Sequence, residues 1–224
     1  MALDERFREP EIQDQLDLVP QSLCDALGGL ERIHWFSRTA DHLWRPVAEL
    51  ARALHPTPVR ILEVACGSGW LLREFSRRAR ADNLHLTLAG CDLNPLTIRY
   101  ATEQNRRAGV AAELFTSDVR RDRLPAGFDV LLTCTFLHHL DDAEAATLLT
   151  EMSRVAQRLV IVDDLIRCRM GWWLAQLGTR ALFTGWVNRI DGPRSVAAAF
   201  TLAEIRRLCQ QAGLVGAAID AHWP

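Results

Sequence analysis

A glycine pair and a nearby carboxylate form the first group of residues with a recognisable chemistry. Residues 61–72 read ILEVACGSGWLL, an apolar run followed by Gly67-Ser68-Gly69 and a helical pattern. Glycine permits positive φ and lets the backbone approach a ligand closely. A helix beginning here would direct N–H groups and a positive dipole end at that ligand. Glu63 lies near the carboxyl end of the predicted strand, where open α/β sheets bind their ligands.

Two further acids follow later apolar runs. Asp92 ends the second predicted strand, where a carboxylate can accept hydrogen bonds from two ribose hydroxyls. Asp118 and Val119 end the third predicted strand, and an acid beside an apolar residue suits the amino group and face of an adenine ring. Enzymes that use NAD share the ribose geometry, so Asp92 does not select one nucleotide cofactor over another.

The glycine turn departs from two common phosphate-binding patterns. Ala65 and Leu72 occupy two glycine positions of the dinucleotide fingerprint G-x-G-x-x-G, and the phosphate loop needs a lysine, which the sequence lacks. The pattern that remains is E-x-A-x-G-x-G. A strand–glycine–helix turn that binds no ligand is the alternative interpretation.

The elements that position these residues alternate between strand and helix. The predicted strands are 59–65, 84–92, 112–118, 128–136 and 159–165, and the helices between them are 69–80, 94–108 and 141–157. This alternation predicts a mostly parallel sheet covered on both faces. Right-handed crossovers then produce a doubly wound α/β domain.

Helical patterns precede this core. We expect residues 1–20 to be a flexible, polar lead-in with a short helix. Residues 21–27 and 30–54 have helical spacing, with Gly28-Gly29 as a break and Pro46 as a kink or division.

The pattern after the fifth strand is also helical. Residues 168–190 form a helix-like segment that holds Trp172, Trp173, Phe183 and Trp186. A turn is predicted at Asp191-Gly192-Pro193 and a sixth strand at 215–220, and Thr201 with Glu204 forms a capping box for a helix to residue 212. The expected organisation is an amino-terminal helical cap (1–58), a core (59–165), a helical lid (166–200) and a final helix and strand (201–224).

Composition is that of an ordinary soluble globular protein. The 224 residues carry a net charge of −2, which gives no global argument for nucleic-acid binding. Six cysteines lack metal-binding spacing, so we expect reduced side chains in a cytoplasmic protein. No apolar run is long enough for stable membrane insertion, and the charged amino terminus lacks the apolar core of a signal peptide.

Taken together, the ordered motifs resemble class I S-adenosylmethionine-dependent methyltransferases, whose first motif is usually [DE]-x-G-x-G-x-G. The segment FLHHLDD is similar to the LHHL that follows the fourth strand in that superfamily. The resemblance covers residues 59–165 and implies a Rossmann-like fold with S-adenosyl-L-methionine as cofactor. It places Glu63, Ala65, Gly67 and Gly69 along the methionine part, Asp92 and Leu93 at the ribose, Asp118 and Val119 at the adenine, and Cys134 in the pocket wall.

The whole chain is also similar to methyltransferases found beside type III polyketide synthases. The similar segments are REPEI, GLERIHWFSR, VDDLIR and DGPRSVAAAFTLAEIRRL. This resemblance implies a small hydrophobic acceptor with a phenolic, alkylated character. The chain departs from the pattern in two places: Ala65 replaces a glycine, which is tolerated if its φ is negative, and residues 221–224 cannot build a seventh strand.

Methyl transfer to a phenol also requires removal of a proton. His138 and His139 are the predicted catalytic residues because histidine exchanges protons near pH 7. Their side chains should diverge, so that one at most faces the acceptor. The alternative is that both are helix-entry histidines that pack on the turn.

Four other residues are predicted to bind the acceptor, namely His34, Asp164, Trp172 and Trp173. The alternatives are ordinary core packing for the aromatic residues and a solvated strand end for the aspartate. A metal is not predicted, because Cys134-Thr135 stands where a catechol-type metal site would need another carboxylate. A third interpretation of the tryptophans is weak contact with a membrane, if their side chains are exposed.

Rival functions remain open at this point. Within the same enzyme class, the acceptor atom is carbon or nitrogen on a quinone-like or lipid-like molecule. Outside it, the chain is a non-catalytic cofactor-binding protein or a nicotinamide-dependent oxidoreductase. The sequence leaves open whether the protein is a monomer or a homodimer.

Overall fold

A computed structural model describes residues 3–15, 17–182 and 185–222, and it confirms the predicted α/β fold. The described elements, in chain order, are α1 (Pro20–Phe36), α2 (Thr39–Leu54), β1 (Val59–Val64), α3 (Trp70–Ala81), β2 (Leu86–Asp92), α4 (Pro95–Arg107), β3 (Ala112–Thr116), β4 (Val130–Cys134), a 3₁₀ turn (Leu137–His139), α5 (Asp142–Val155), β5 (Leu159–Asp163), α6 (Arg169–Ala181), α7 (Trp186–Ala198) and α8 (Leu202–Gln211). In the described residues, no helix is long and apolar enough to cross a membrane.

The strands form one parallel sheet in the order β3-β2-β1-β4-β5. The chain builds outward from β1 to β3 and then returns to the other side of β1 for β4 and β5. The order therefore reverses between β1 and β4, and in open α/β sheets such a switch point marks the ligand-binding edge. Glu63 pairs in register with Gly90 on one side and Leu132 on the other, so it belongs to the centre of the sheet.

The chain divides into two compact units. The sheet unit consists of residues 38–134 and 151–163 and holds all five strands with α2, α3 and α4. The helical unit consists of residues 1–37, 135–150 and 164–224, and its described part holds α1, the 3₁₀ turn, α6, α7 and α8.

The core of the sheet unit lies between its central strands and the pair α2 and α3. Strand β1 is buried at five of its six residues, as expected for a central strand covered on both faces. Trp44 of α2 packs against Phe75 of α3, with ring centroids 5.5 Å apart. Because α3 begins directly after the glycine turn, this core also fixes the turn.

Two predicted breaks in the helical unit are wrong. Helix α1 continues through Gly28 and Gly29, where buried Gly29 presents no side chain, and it ends before Arg38, whose φ is +56°. The predicted turn at 191–193 lies inside α7. There the Asp191 carboxylate accepts the N–H groups of residues 12 and 13, so tertiary contacts override local turn chemistry.

Helix α2 continues undivided through Pro46, so of the predicted kink or division the division is wrong. The predicted sixth strand is wrong as well. Residues 215–220 form no strand: Gly216 has a φ of +90° and Val215 is 95% exposed, so no neighbouring strand pairs with them. By contrast, the predicted capping box is present, with the Thr201 hydroxyl and the Glu204 carboxylate each accepting the other's backbone N–H.

Gly90→Ala tests the close approach between β2 and the glycine turn. A Cβ on Gly90 would lie 2.9 Å from the Cβ of Cys66 and 3.0 Å from its sulfur. Overpacking of this kind costs about 1–3 kcal/mol, so we expect that loss in the free energy of unfolding measured with denaturant. Gly178→Ala is the control, because a Cβ there meets nothing within 4 Å, and it should not destabilise α6. Unchanged stability of Gly90→Ala would contradict this packing.

Candidate functional site

The turn after β1 uses the left-handed backbone region at alternate residues. φ is +56° at Ala65, +50° at Gly67 and +69° at Gly69. The condition of a negative φ, under which Ala65 would be tolerated, is therefore not met, and alanine adopts this conformation at a cost of about 1–2 kcal/mol. The N–H of Gly69 donates to the carbonyl of Cys66 at 2.8 Å, and the N–H of Cys66 donates to the carbonyl of Cys91 at 2.8 Å. These bonds hold the turn against the end of β2.

Asp92 fixes the same turn from the end of β2. Its Oδ2 accepts the N–H of Gly67 at 3.0 Å, and its Oδ1 accepts the N–H of Asn94 at 3.0 Å. A carboxylate offers about four lone-pair positions, so each oxygen can accept a further hydrogen bond. The two backbone donors thus orient the carboxylate before any hydroxyl-bearing ligand arrives.

Glu63 is a buried acid with an unsatisfied atom. The residue is 3% exposed, and its Oε2 has no hydrogen-bond partner among the described residues. Burial raises the pKa of this carboxyl well above its ordinary value, with Arg73 opposing and Asp92 reinforcing the shift. A buried polar atom without a partner calls for a ligand or water, and a ligand N–H at the glycine turn would supply one.

The loop after β3 is ordered by its own side chains. Oδ1 of Asp118 lies 3.0 Å from Nε of Arg120, whose hydrogen bond holds the pKa of that carboxyl below its usual range. The carboxylate of Asp122 accepts the N–H of Asp118 at 2.9 Å. An adenine amino group would therefore share Asp118 with Arg120.

The apolar cofactor candidates occupy the ends of β2, β3 and β4. Leu93 is 41% exposed, and Val119 and Cys134 are partly buried. The thiol of Cys134 donates to Oδ2 of Asp163 at 3.6 Å. Oriented Asp92, unsatisfied Glu63 and a turn of low steric bulk together fit a nucleoside cofactor that also carries an amino group.

In the helical unit, the two predicted catalytic histidines converge. Their ring centroids lie 4.3 Å apart, and Nε2 of His138 and of His139 lie 3.5 and 3.9 Å from the carboxylate oxygens of Glu11. The expected divergence of their side chains is therefore wrong. Nδ1 of His138 is 2.6 Å from Asp164, and Nδ1 of His139 is 2.7 Å from Asp14. All four ring nitrogens face carboxylates.

The protonation of His138 follows from these neighbours. Burial opposes its charge, but Asp164 and Glu11 outweigh burial and raise the pKa of His138 to about 10. A general base works best with a pKa near the operating pH. The arrangement of His138 consequently suits a buried ion pair better than proton exchange. Asp164 is predicted to bind the acceptor, but both of its oxygens already form hydrogen bonds. Oδ2 accepts the N–H of His138, and Oδ1 contacts Nδ1 of His138 and accepts the N–H of Leu165.

The sequence does not identify Glu11 as a functional residue, because its polar surroundings predict a flexible lead-in. Glu11 is 9% exposed and accepts the hydroxyl of Ser195 at 2.5 Å. Nearby, the guanidinium of Arg6 donates to the carbonyls of His138 and Leu140 at 2.9 and 2.7 Å. The one sequence feature that points to Glu11 is the segment REPEI, which contains it and is similar to the corresponding segment of the methyltransferases found beside type III polyketide synthases.

His34 and Thr135 form a second polar pair in the helical unit. Nε2 of His34, on α1, lies 3.4 Å from the hydroxyl oxygen of Thr135. Thr135 has a φ of +50°, which is a true outlier for a β-branched residue, and such strain concentrates at functional sites. Burial lowers the pKa of His34 to about 4, so its imidazole is neutral at pH 7.

Helix α6 carries an exposed apolar stripe. Its members share helical spacing and are each more than a third exposed: Met170, Trp173, Leu174 and Leu177. Trp172 packs edge-on against Trp173, with centroids 5.1 Å apart. Phe183, part of the same predicted segment, lies outside the described residues.

Comparison with known proteins bears on the sheet unit most directly. Residues 61–158 match a family model described as a methyltransferase domain. This range contains the glycine turn and all of the predicted cofactor residues. No curated protein matches the chain.

Several solved structures with similar folds are named as methyltransferases. The plantazolicin methyltransferase BpumL, crystallised with a desmethylPZN analog and SAH, is 17% identical, with 92% of this chain and 80% of that chain covered and a TM-score of 0.58. Magnesium protoporphyrin IX methyltransferase from Synechocystis PCC 6803, with bound SAH, is 18% identical, with 84% of this chain and 75% of that chain covered and a TM-score of 0.56. An O-methyltransferase family 2 protein from Planctomyces limnophilus DSM 3776, in complex with apigenin, is 22% identical, with 71% of this chain and 45% of that chain covered and a TM-score of 0.52. At these identities the similarity shows a shared fold.

His34→Gln tests the partly buried, neutral histidine through the pH dependence of stability. An unfolded histidine has a pKa of about 6.5, whereas the pKa of folded His34 is about 4. Between these values the unfolded chain binds a proton that the folded chain does not, so stability falls as the pH falls. We expect the thermal midpoint of the wild type to drop more from pH 7 to pH 5 than that of His34→Gln. Equal slopes for wild type and His34→Gln would contradict the assignment.

Proposed function

We propose that this protein, an S-adenosylmethionine-dependent methyltransferase, methylates the hydroxyl of a small hydrophobic phenol in polyketide or other secondary metabolism. The proposed part is the phenolic acceptor, and it builds on the match of residues 61–158 to a methyltransferase domain. It is supported by the polar and apolar surfaces of the helical unit and by the fold shared with an O-methyltransferase that was crystallised with apigenin.

In the sheet unit, each predicted cofactor residue has a distinct task. Asp92, held by the N–H of Gly67, would accept the ribose hydroxyls, and Glu63 would accept an N–H of the amino-acid part. The left-handed backbone at Ala65, Gly67 and Gly69 keeps the turn open to a closely bound ligand. Leu93, Val119 and Asp118 would hold the base. When bound, S-adenosylmethionine supplies a methyl group on a sulfonium that is already activated for displacement.

The single observation that carries the choice of an oxygen acceptor is the His34–Thr135 pair. A neutral imidazole nitrogen and a hydroxyl, 3.4 Å apart, can accept from and donate to one phenolic hydroxyl. The strained backbone of Thr135 holds its side chain in that pair at an energetic cost that ordinary packing does not require.

The role of His34 is to orient the acceptor oxygen. With a pKa of about 4, it accepts a hydrogen bond but holds a proton only weakly, so the phenolic proton passes on to water. Alignment can contribute about 7–11 kcal/mol in a two-substrate reaction, which leaves a modest share for this hydrogen bond. The proton-transfer role predicted for His138 and His139 stays a prediction, and their carboxylate partners favour an anchoring role.

The apolar stripe on α6 supports a hydrophobic acceptor. Trp173 is 61% exposed and Leu177 is 62% exposed, and on α1 Trp35 is 72% exposed beside His34. Small-molecule sites are lined mainly by aromatic and aliphatic side chains with a few polar groups, and these residues would supply the apolar part. We therefore assign Trp172 and Trp173 to the acceptor, together with His34.

The test is methyl transfer from S-adenosylmethionine to a panel of alkylated phenols, with the product identified by mass spectrometry and NMR. We expect an O-methyl product from the wild type. His34→Asn should lower turnover about 10- to 100-fold, because one hydrogen bond of about 1–3 kcal/mol is lost, and should leave S-adenosylhomocysteine affinity unchanged. His42→Asn is the matched control and should match the wild type in turnover.

Two results would contradict this function. A C-methyl or N-methyl product from a productive acceptor would refute the hydroxyl assignment. Undiminished turnover in His34→Asn would remove His34 from the acceptor site, even if the O-methyl product formed.

A further inference from the structure

Glu11, His138 and His139 converge on one point in the helical unit. Nε2 of His138 lies 3.5 Å from Oε1 of Glu11 and Nε2 of His139 lies 3.9 Å from Oε2, and one possible ligand atom of each residue lies within 4.8 Å of those of the other two. Such separations are long for hydrogen bonds. Ligands about 2.0–2.2 Å from a tetrahedral Zn²⁺ lie roughly 3.5 Å apart, so the distance between His138 and Glu11 fits a shared ion and His139 would move slightly closer on binding it.

The other ring nitrogen of each histidine, Nδ1, faces a carboxylate, as is usual for histidines that bind a metal. Nδ1 of His138 faces Oδ1 of Asp164 at 2.6 Å, and Nδ1 of His139 faces Oδ2 of Asp14 at 2.7 Å. Metal-binding histidines almost always donate their second N–H to a carboxylate or carbonyl, which fixes the ring and the tautomer. A proton on each Nδ1 leaves each Nε2 as the atom that receives the metal.

The charge balance of the cluster also favours a cation. Three carboxylates, from Glu11, Asp14 and Asp164, surround two imidazoles, and Glu11 and His138 are no more than 9% exposed. Buried charges need compensation by pairing or by metal coordination. A divalent ion among the three donors supplies that compensation, and it takes the place of a proton at Nε2 of His138.

Glu11 is itself oriented for this purpose. The hydroxyl of Ser195 donates to its Oε1 at 2.5 Å, and the carboxylate of Asp191 accepts the N–H groups of residues 12 and 13 directly after it. The segment that carries Glu11 is thus tied to α7 and directed toward the histidines. The donor set contains three protein ligands, as in zinc sites that leave a fourth position to water.

We infer that Glu11, His138 and His139 form a binding site for a divalent transition-metal ion, with Zn²⁺ the best match to two imidazoles and one carboxylate. The ion links residue 11 to the turn after β4, more than 120 residues away along the chain. Its effect is to anchor the amino-terminal segment within the helical unit. The inference concerns binding and stability and does not depend on the proposed acceptor.

The experiment uses the whole 224-residue chain after treatment with a chelator. Zn²⁺ is titrated calorimetrically, bound zinc is measured by mass spectrometry after gel filtration, and Co²⁺ serves as a spectroscopic probe. We expect about one equivalent of Zn²⁺, a raised thermal midpoint on binding, and a Co²⁺ spectrum with visible ligand-field bands but no thiolate charge-transfer band. The missing thiolate band separates this site from the six cysteines.

Variants assign the ligands. Glu11→Gln should abolish the stoichiometric binding. Asp14→Asn, at a half-exposed residue that orients His139, should weaken it about 10- to 100-fold and remain folded. Glu9→Gln is the matched control on the same segment and should bind as the wild type does. Absence of stoichiometric zinc in the wild type, or equal affinity in wild type and Glu11→Gln, would overturn the inference and leave a proton-mediated ionic cluster.

Discussion

The hydrogen bond between Asp92 and the glycine turn is the interaction on which the sheet unit's site depends. One carboxylate oxygen receives the N–H of Gly67, so the turn after β1 and the end of β2 are held as one surface. The contact is possible because Gly90 has no side chain at the point where Cys66 crosses β2. The left-handed backbone at Ala65 destabilises the turn, and the buried core under α3 provides the stabilisation that offsets this strain.

The helical unit is held together differently, by buried charge. Arg167 is 5% exposed and forms a two-pronged pair with Glu204, with bonds of 3.0 and 2.7 Å. The cluster around His138 adds further buried charge, and both groups lie where the amino-terminal segment meets the later helices. Removing one partner from such a pair leaves an uncompensated charge, so each group specifies a single arrangement of its segment.

The sequence predicts the sheet well because its signals are local. Each strand is a short apolar run ended by turn residues, and the Thr201–Glu204 box spans four residues. The failures are tertiary. Turn chemistry at 191–193 yields to contacts with the amino-terminal segment, and the run at 215–220 finds no partner strand. Glu11 could not be recognised because its partners lie more than 120 residues away, whereas Asp92 is the last residue of its own strand.

The central claim is that the sheet unit binds S-adenosylmethionine through Asp92, Glu63 and the glycine turn. Calorimetric titration of the purified protein with S-adenosylhomocysteine, with NAD titrated in parallel, tests it most directly. The account predicts binding of S-adenosylhomocysteine with a dissociation constant on the order of micromolar, about −8 kcal/mol, and no binding of NAD. Failure to bind S-adenosylhomocysteine would mean that Ala65 closes the turn to the cofactor, and NAD binding in its place would contradict the account.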